Sequence, residues 1–267
     1  MARTDVAGPG DHGDEHIEPL FHPARKLDAG APVRWLKLGW RDLRAAPGTS
    51  LTYGAALTLI GYLLLYLAWD EGHTLMLFTL VTGLILLGPV LAFGLYSISR
   101  QLELGLQPRL GYCVKESQTH LRNELLFALV LLVILLVWAR AASMVHVFFP
   151  ISDEIGLVGW LQFLAVGSAV GSIFAAIVFT ASAFSLPMML DRGTDAITGA
   201  LTSVNAVLKN KGVMLIWAAL IVGLVLLGVL TAFLGLAVVL PVIGHATWHG
   251  YRETIEMADG EEPGTRN

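Results

Sequence analysis

The sequence predicts an all-α fold, a polytopic membrane bundle of six transmembrane helices arranged as three hairpins, each preceded by a cytoplasmic amphipathic helix. Three observations predict it. Of 267 residues, 55% are hydrophobic and 14% charged, about half the roughly 25% charge of a soluble domain. The charge is also unevenly placed: 14 of the 38 charged residues lie in the first fifty positions and seven from Arg252 onward, leaving 17 for residues 51–251. Finally, the uncharged runs suit a bilayer core about 30 Å thick, which takes about 20 helical residues. A net charge of −4 and a pI near 6.0 supply none of the basic surface that nucleic acid requires. Cys113 is the only cysteine, so no intrachain disulfide forms.

Residues 1–32 mix Pro, Gly, His and acids without periodicity and read as a disordered, acidic cytoplasmic tail. Asp11, His12, Asp14, Glu15 and His16 within it hold a metal at most loosely. From residue 33 the chain reads as a membrane domain, 33–252, of three repeats, about 33–105, 108–192 and 193–252, closed by a cytoplasmic tail, 253–267. In the first repeat Val33, Leu36, Trp40 and Leu43 make an apolar face. Arg34, Lys37, Arg41 and Arg44 lie about 100° around from it, the pattern of a helix in the headgroup layer with its cations on lipid phosphates. Leu51–Trp69 (19 residues) and Thr74–Ser99 (26 residues) make the first hairpin around Asp70–His73. The first of these runs begins fifty residues in and is expected to act as its own targeting signal.

The second repeat opens on a weaker amphipathic stretch, Leu110–Arg122, with Leu110, Val114 and Leu121. Leu125–Pro150, interrupted by Arg140, is the third span. Ile155–Leu190 is uncharged for 36 residues, about 54 Å of helix, so its first turns are expected along the outer surface. The third repeat opens with Thr194 as a helix cap, Ile197, Leu201, Val204 and Leu208 on one face, and Lys209 and Lys211 at the C-terminal dipole. Gly212–Tyr251 is uncharged for 40 residues, about 60 Å of helix; it must fold back, near Gly235, as spans five and six. This arrangement puts 16 of 17 Lys and Arg on one side, all but Arg140. The cytoplasmic side holds such an excess, which places both termini there in a bacterial inner membrane.

Each second helix carries a proline: Pro89, Pro187 and Pro241. PVLAFGLYSISR from Pro89 and PVIGHATWHGYR from Pro241 share an aromatic seven residues on and an arginine eleven on, Arg100 and Arg252. A kinked helix with an interfacial aromatic and an arginine at the cytoplasmic edge accounts for the spacing.

The strings VTGLILLGPVLAFGLYSISRQLELG, RWLKLGWRDLRAAPGTSLTYG, DRGTDAITGALTSV and LPVIGHATWHGYR resemble a bacterial family of integral membrane proteins classed as Domain of Unknown Function 2189. The resemblance runs from about Val33 to Tyr251 and implies a membrane location without an activity. Some members bear a cytochrome c oxidase label, but a haem–copper core needs more histidines at membrane depth than His146, His245 and His249.

His245 and His249, four apart on one helix face, are the candidate metal ligands; interfacial hydrogen bonding is the plainer reading, and no cofactor is called. Arg140, Arg100, Arg252, Trp40 and Trp248 are candidate lipid or substrate contacts. Gly167 and Gly171 form a small-residue packing face with Ala175, while Thr180, Ser182 and Ser185 add hydroxyls. The sequence contains no P-loop, no G-x-S-x-G and no pair of membrane-embedded carboxylates. A non-catalytic accessory or scaffold protein, partnered by the lipid bilayer and by another membrane protein or a second copy, is therefore expected. A transporter or channel for a small or lipid-like solute is the alternative, and a metal- or haem-binding redox subunit a third reading.

Overall fold

A computed structural model describes residues 21–70, 88–148 and 156–256. Among them every regular element is a helix: α1 (Ala31–Ala45), α2 (Pro47–Asp70), α3 (Phe93–Glu103), α4 (Leu110–Phe148), α5 (Leu157–Ser182), α6 (Ser185–Arg192), α7 (Ala196–Lys209), α8 (Lys211–Leu230) and α9 (Leu236–Thr254). Four stretches are long and apolar enough to cross a membrane: Pro47–Leu67, Arg122–Phe148, Leu157–Arg192 and Lys211–Leu230. Residues 74–87 of the expected second span, Asp153 and Glu154 as expected partners of Arg140, and the tail from 257 lie outside the described residues, as do the side chains of Val114 and Leu121. The expected sixth span corresponds to α9, which is not one of the four.

α9 is the hub, and glycines set how closely its neighbours approach. A Cβ on Gly39 of α1 would lie 2.6 Å from the Val242 carbonyl oxygen and 2.7 Å from the Ala246 nitrogen. A Cβ on Gly244 would meet the Leu95 side chain of α3 at 2.6 Å, and one on Gly250 the Trp35 ring at 3.1 Å. Gly54 of α2 faces the Ala237 carbonyl and the Pro241 ring. Proline at 241 removes the N–H that would bond that carbonyl from within the helix, and the bare α2 backbone comes against it. The Gly39 neighbours are backbone atoms that cannot swing aside. Gly39→Val is therefore expected to cost at least about 2–3 kcal/mol, the range of an overpacked core, read as a lower unfolding midpoint in detergent.

The three prolines act differently. The chain breaks at Ala92 after Pro89, and α3 begins at Phe93. At Pro187 the break precedes the proline, at Ala183 and Phe184, and Pro187 occupies the first turn of α6, where a helix has no use for the N–H. α9 runs through Pro241 unbroken. The return expected near Gly235 is present at residues 231–235, with Ala232 (φ 51°) and Phe233 (φ 65°) left-handed.

In the helices expected to be amphipathic, small and polar residues turn toward the protein while part of the apolar face stays exposed. α1 buries Trp35, Gly39, Asp42 and Leu43 but exposes Val33 and Trp40, because Gly39 and not the Val33–Trp40 edge permits the close crossing with α9. α7 buries Gly199, Thr202, Ser203 and Ala206, while Ile197 and Leu208 are 70% and 54% exposed. Its small and hydroxylated face packs inward and its apolar edge outward, the reverse of a helix in water. Its cap is Asp195, accepting from the Ile197 and Thr198 N–H groups at 2.9 and 3.0 Å; the expected Thr194 hydroxyl is buried without a partner among the described residues. Bonding to Thr198 holds the Asp195 carboxyl below its usual range. Asp195→Ala should cost about 1 kcal/mol, with Asp195→Asn close to neutral, measured by thermal unfolding.

Residues 21–30 correct the expectation of disorder up to residue 32. They form an ordered strap: Arg25 N–H donates to Thr254 O (2.7 Å) and Glu256 N–H to Pro23 O (3.0 Å). Asn210 of the α7–α8 corner accepts from Leu27 N–H at 2.9 Å and donates to Arg25 O at 2.9 Å, and Lys209 donates to Ala24 O at 2.5 Å. Ala24 and Ile255, opposed in an isolated bridge, are 1% and 2% exposed, so the strap contributes to the core.

Candidate functional site

The polar side chains gather where the helices converge, in tiers along α9. At the tier nearest the apolar run of α2, His245 is fully buried, with Ser50 Oγ 3.0 Å from Nε2 and Ser99 Oγ 2.8 Å from Nδ1. Ser99 donates to Asp42 Oδ2 at 2.9 Å, and His249 Nε2 lies 2.8 Å from the same oxygen. A hydroxyl has one hydrogen. Ser99 gives its own to Asp42 and so must accept from His245 Nδ1–H, which leaves Nε2 to accept from the Ser50 hydroxyl. His245 is thereby fixed as the neutral Nδ1–H tautomer, assigned from the network as such tautomers must be. The two histidines share a helix face but not a ligand position: both His245 nitrogens are occupied by serines, and a metal would have to displace one. Among the described residues no three His, Cys, Asp or Glu side chains are grouped to hold a metal ion.

One turn on, the ends of three helices meet. Arg252 of α9 donates Nη1–H to Asp191 Oδ2 at 3.0 Å and Nη2–H to Glu103 Oε1 at 2.9 Å. Arg100 Nε of α3 lies 3.7 Å from Asp191 Oδ1. Tyr251 donates its hydroxyl to Asp191 at 2.7 Å and accepts from Arg192 Nε–H at 3.0 Å, and Trp248 Nε1–H donates to Glu103 at 2.9 Å. The outermost tier joins strap, α1 and α9. Arg34 pairs with Asp28 and Glu253, both at 2.5 Å, and Trp35 Nε1–H donates to Glu253 at 2.8 Å. The Arg34 guanidinium holds the Asp28 carboxyl down at about 2, and the two acids in turn raise Arg34 above its usual value, Asp28 first.

The arginines eleven residues after Pro89 and Pro241 thus both reach Asp191, at the end of α6. With that convergence in place, comparison with known proteins becomes informative. Residues 77–191 match the model of the family described as predicted integral membrane protein (DUF2189). The DUF2189 segment takes in α3 to α6, with Pro89, Arg100, Arg140, Gly167, Gly171, Pro187 and Asp191, but neither α1 nor α9. No curated protein and no solved structure matches the chain.

The other candidates lie apart. Trp40 is 47% exposed beside Lys37 and Arg41 on the outer side of α1. Arg140 is exposed on α4, eight residues or about 12 Å before its end. Trp248, expected at the lipid interface, is fully buried. A Cβ on Gly167 would meet nothing within 4 Å, and one on Gly171 only Trp138 Nε1 at 3.9 Å, whereas close helix crossings occur at Gly39, Gly54, Gly94, Gly244 and Gly250. Ser182 and Ser185 donate to the carbonyls four residues back, at 2.7 Å each, and the Thr180 carbonyl accepts from Ser203 at 2.8 Å. Asp42, Glu103 and Asp191, which organise the tiers, were passed over in the sequence because orientation is read from cations alone.

Proposed function

We propose that the protein is a non-catalytic scaffold of the bacterial inner membrane, acting on lipids or on other membrane proteins. Its three repeated hairpins are inserted from the cytoplasmic side, where both termini lie and where the basic face of α1 meets lipid headgroups. One contrast carries this reading. The helix ends are locked by three tiers of hydrogen bonds and ion pairs, whereas the membrane stretches are almost uncovered: 17% of the most apolar window is buried in Pro47–Leu67 and 6% in Leu157–Arg192. Such a molecule presents apolar surface to its surroundings from a rigid base, which suits organising neighbours. The Ser182 and Ser185 hydroxyls that would line a solute path are spent on helix carbonyls, and the histidines that would bind a redox metal are spent on serines and Asp42.

The test is extraction with surrounding native lipid, followed by mass spectrometry, a visible spectrum and metal analysis. A defined lipid or membrane protein in fixed ratio is the expected result. A Soret band, stoichiometric metal, or solute uptake by reconstituted vesicles would overturn the reading.

A further inference from the structure

The depth of the third hairpin, α8–α9, is fixed by the contacts that register it against its neighbours. α1 crosses α9 at Val242–Ala246, through Gly39, and there Lys37, Arg41 and Arg44 are exposed. A lysine or arginine at the bilayer centre costs about 2.5–3.5 kcal/mol, so the inner boundary of the hydrocarbon lies no shallower than this crossing. Only Leu236–Val242 of α9 is then left beyond it, about 10 Å of helix. α8 tells the same story. Its Trp217 ring stands edge-on to Trp35, centroids 5.5 Å apart, and the next residue, Arg34, is paired and 46% exposed. Ala218–Leu230 remains, about 20 Å, against a hydrocarbon core of about 30 Å. On α2, Tyr62 donates its hydroxyl to the Ala232 carbonyl at the hairpin tip, yet α2 continues to Asp70, about 12 Å further.

The tip itself is built for a place without water. No charged residue occurs between Gly212 and Tyr251, and Leu230 and Leu234 are 80% and 68% exposed. Backbone groups in hydrocarbon must be satisfied internally, and the N–H groups of residues 233–237 are. Phe233 N–H donates to Val229 O (3.2 Å), Leu234 N–H to Thr231 O (3.2 Å), Leu236 N–H to Phe233 O (3.0 Å) and Ala237 N–H to Leu234 O (3.2 Å). The Thr231 hydroxyl donates to Gly228 O and accepts from Gly235 N–H, both at 2.7 Å, while Tyr62 serves Ala232.

We infer that the third hairpin is re-entrant: its tip ends inside the hydrocarbon, and the surface above it is covered by acyl chains of the outer leaflet. Both termini stay on one side, so the sorting of cations is unchanged, while the expected fifth and sixth spans become a wedge in the inner part of the bilayer. The inference rests on the proposed insertion of the hairpins from the cytoplasmic side and adds the acyl chain as the partner of this surface.

Cysteine substitution in the full-length protein tests it, with Cys113→Ser as background. Leu234→Cys, with Leu230→Cys as a second position in case the first perturbs folding, is compared in lipid nanodiscs with Arg41→Cys as the aqueous control. A membrane-impermeant maleimide should label Leu234→Cys at least roughly tenfold more slowly than Arg41→Cys, since the reactive thiolate does not form in hydrocarbon. A nitroxide at Leu234→Cys should collide readily with oxygen and scarcely with a water-soluble nickel chelate. Chelate access equal to that at Arg41→Cys would show a hairpin that reaches water and overturn the inference. Low access to both quenchers would show protein over the tip and overturn the acyl-chain assignment. Insertion from the cytoplasmic side is tested separately by a reporter at the C-terminus.

Discussion

Asp191→Ala is expected to lower the unfolding free energy of the detergent-solubilised protein by about 3 kcal/mol. Asp191 is the one acid shared by Arg100, Arg252 and the Tyr251 hydroxyl. Its side chain is 15% exposed, against 23% for Arg100 and 20% for Arg252. Removing one partner of a buried pair costs about 3–5 kcal/mol because the remaining charge is left uncompensated, and residual solvent at the arginines places the effect at the lower end of that range. Two comparisons separate the pairing from simple packing. Asp191→Asn keeps the volume and an acceptor but not the charge, and should recover only part of the loss. Asp191→Ala combined with Arg252→Met should be less damaging than the sum of the two single changes, since no charge is then stranded between them. Strict additivity would show that Asp191 and Arg252 do not interact.

The second large effect is expected at Trp35. The ring is fully buried, edge-on to Phe184 (6.3 Å, 89°) and Trp217 (5.5 Å, 85°), and it lies against Gly250. It binds α1 to α8, α9 and the turn before α6. Trp35→Ala should cost about 3–5 kcal/mol, as large-to-small changes of a buried tryptophan do, and should abolish much of the near-ultraviolet dichroism that the paired tryptophans give. Trp35→Phe keeps the apolar contact and loses the N–H donated to Glu253 (2.8 Å), so a loss of about 1–2 kcal/mol is expected.

Much of this architecture is legible in the sequence because a bilayer leaves few choices. The run from Leu51, the stretch around Arg140 and the run ending at Leu190 are helices of the expected kind, and the return near Gly235 is where the length of the apolar run demands one. What the sequence conceals is direction on the small scale. Val33 and Trp40 share an apolar face of α1 by spacing, and Ile197 and Leu208 one of α7, but spacing does not say whether such a face meets lipid or protein. At a membrane boundary apolar edges face outward as readily as inward, and the inward choice falls to whichever residues allow close approach. In α1 Gly39 decides it, and a glycine contributes nothing to a hydrophobic pattern.

The candidate site was half legible. Arg100 and Arg252 stand out by their matched distance from a proline, and His245 and His249 by their spacing of four. Their partners do not stand out, since Asp42, Glu103 and Asp191 lie 57 to 207 residues from the groups they bind and carry no motif. Reading the cations as lipid anchors follows from treating each helix end alone. The structure instead joins three ends, so the arginines meet carboxylates before they meet phosphates.

The proposed scaffold requires that this paired convergence lie on the cytoplasmic side and that all three hairpins leave from it. Residue 25 is bonded to residue 254, so both ends of the described chain share a side and a single reporter addresses both. A reporter domain fused after Asn267 should be active only in its cytoplasmic form, with its periplasmic counterpart silent. Periplasmic activity at that position would contradict the account.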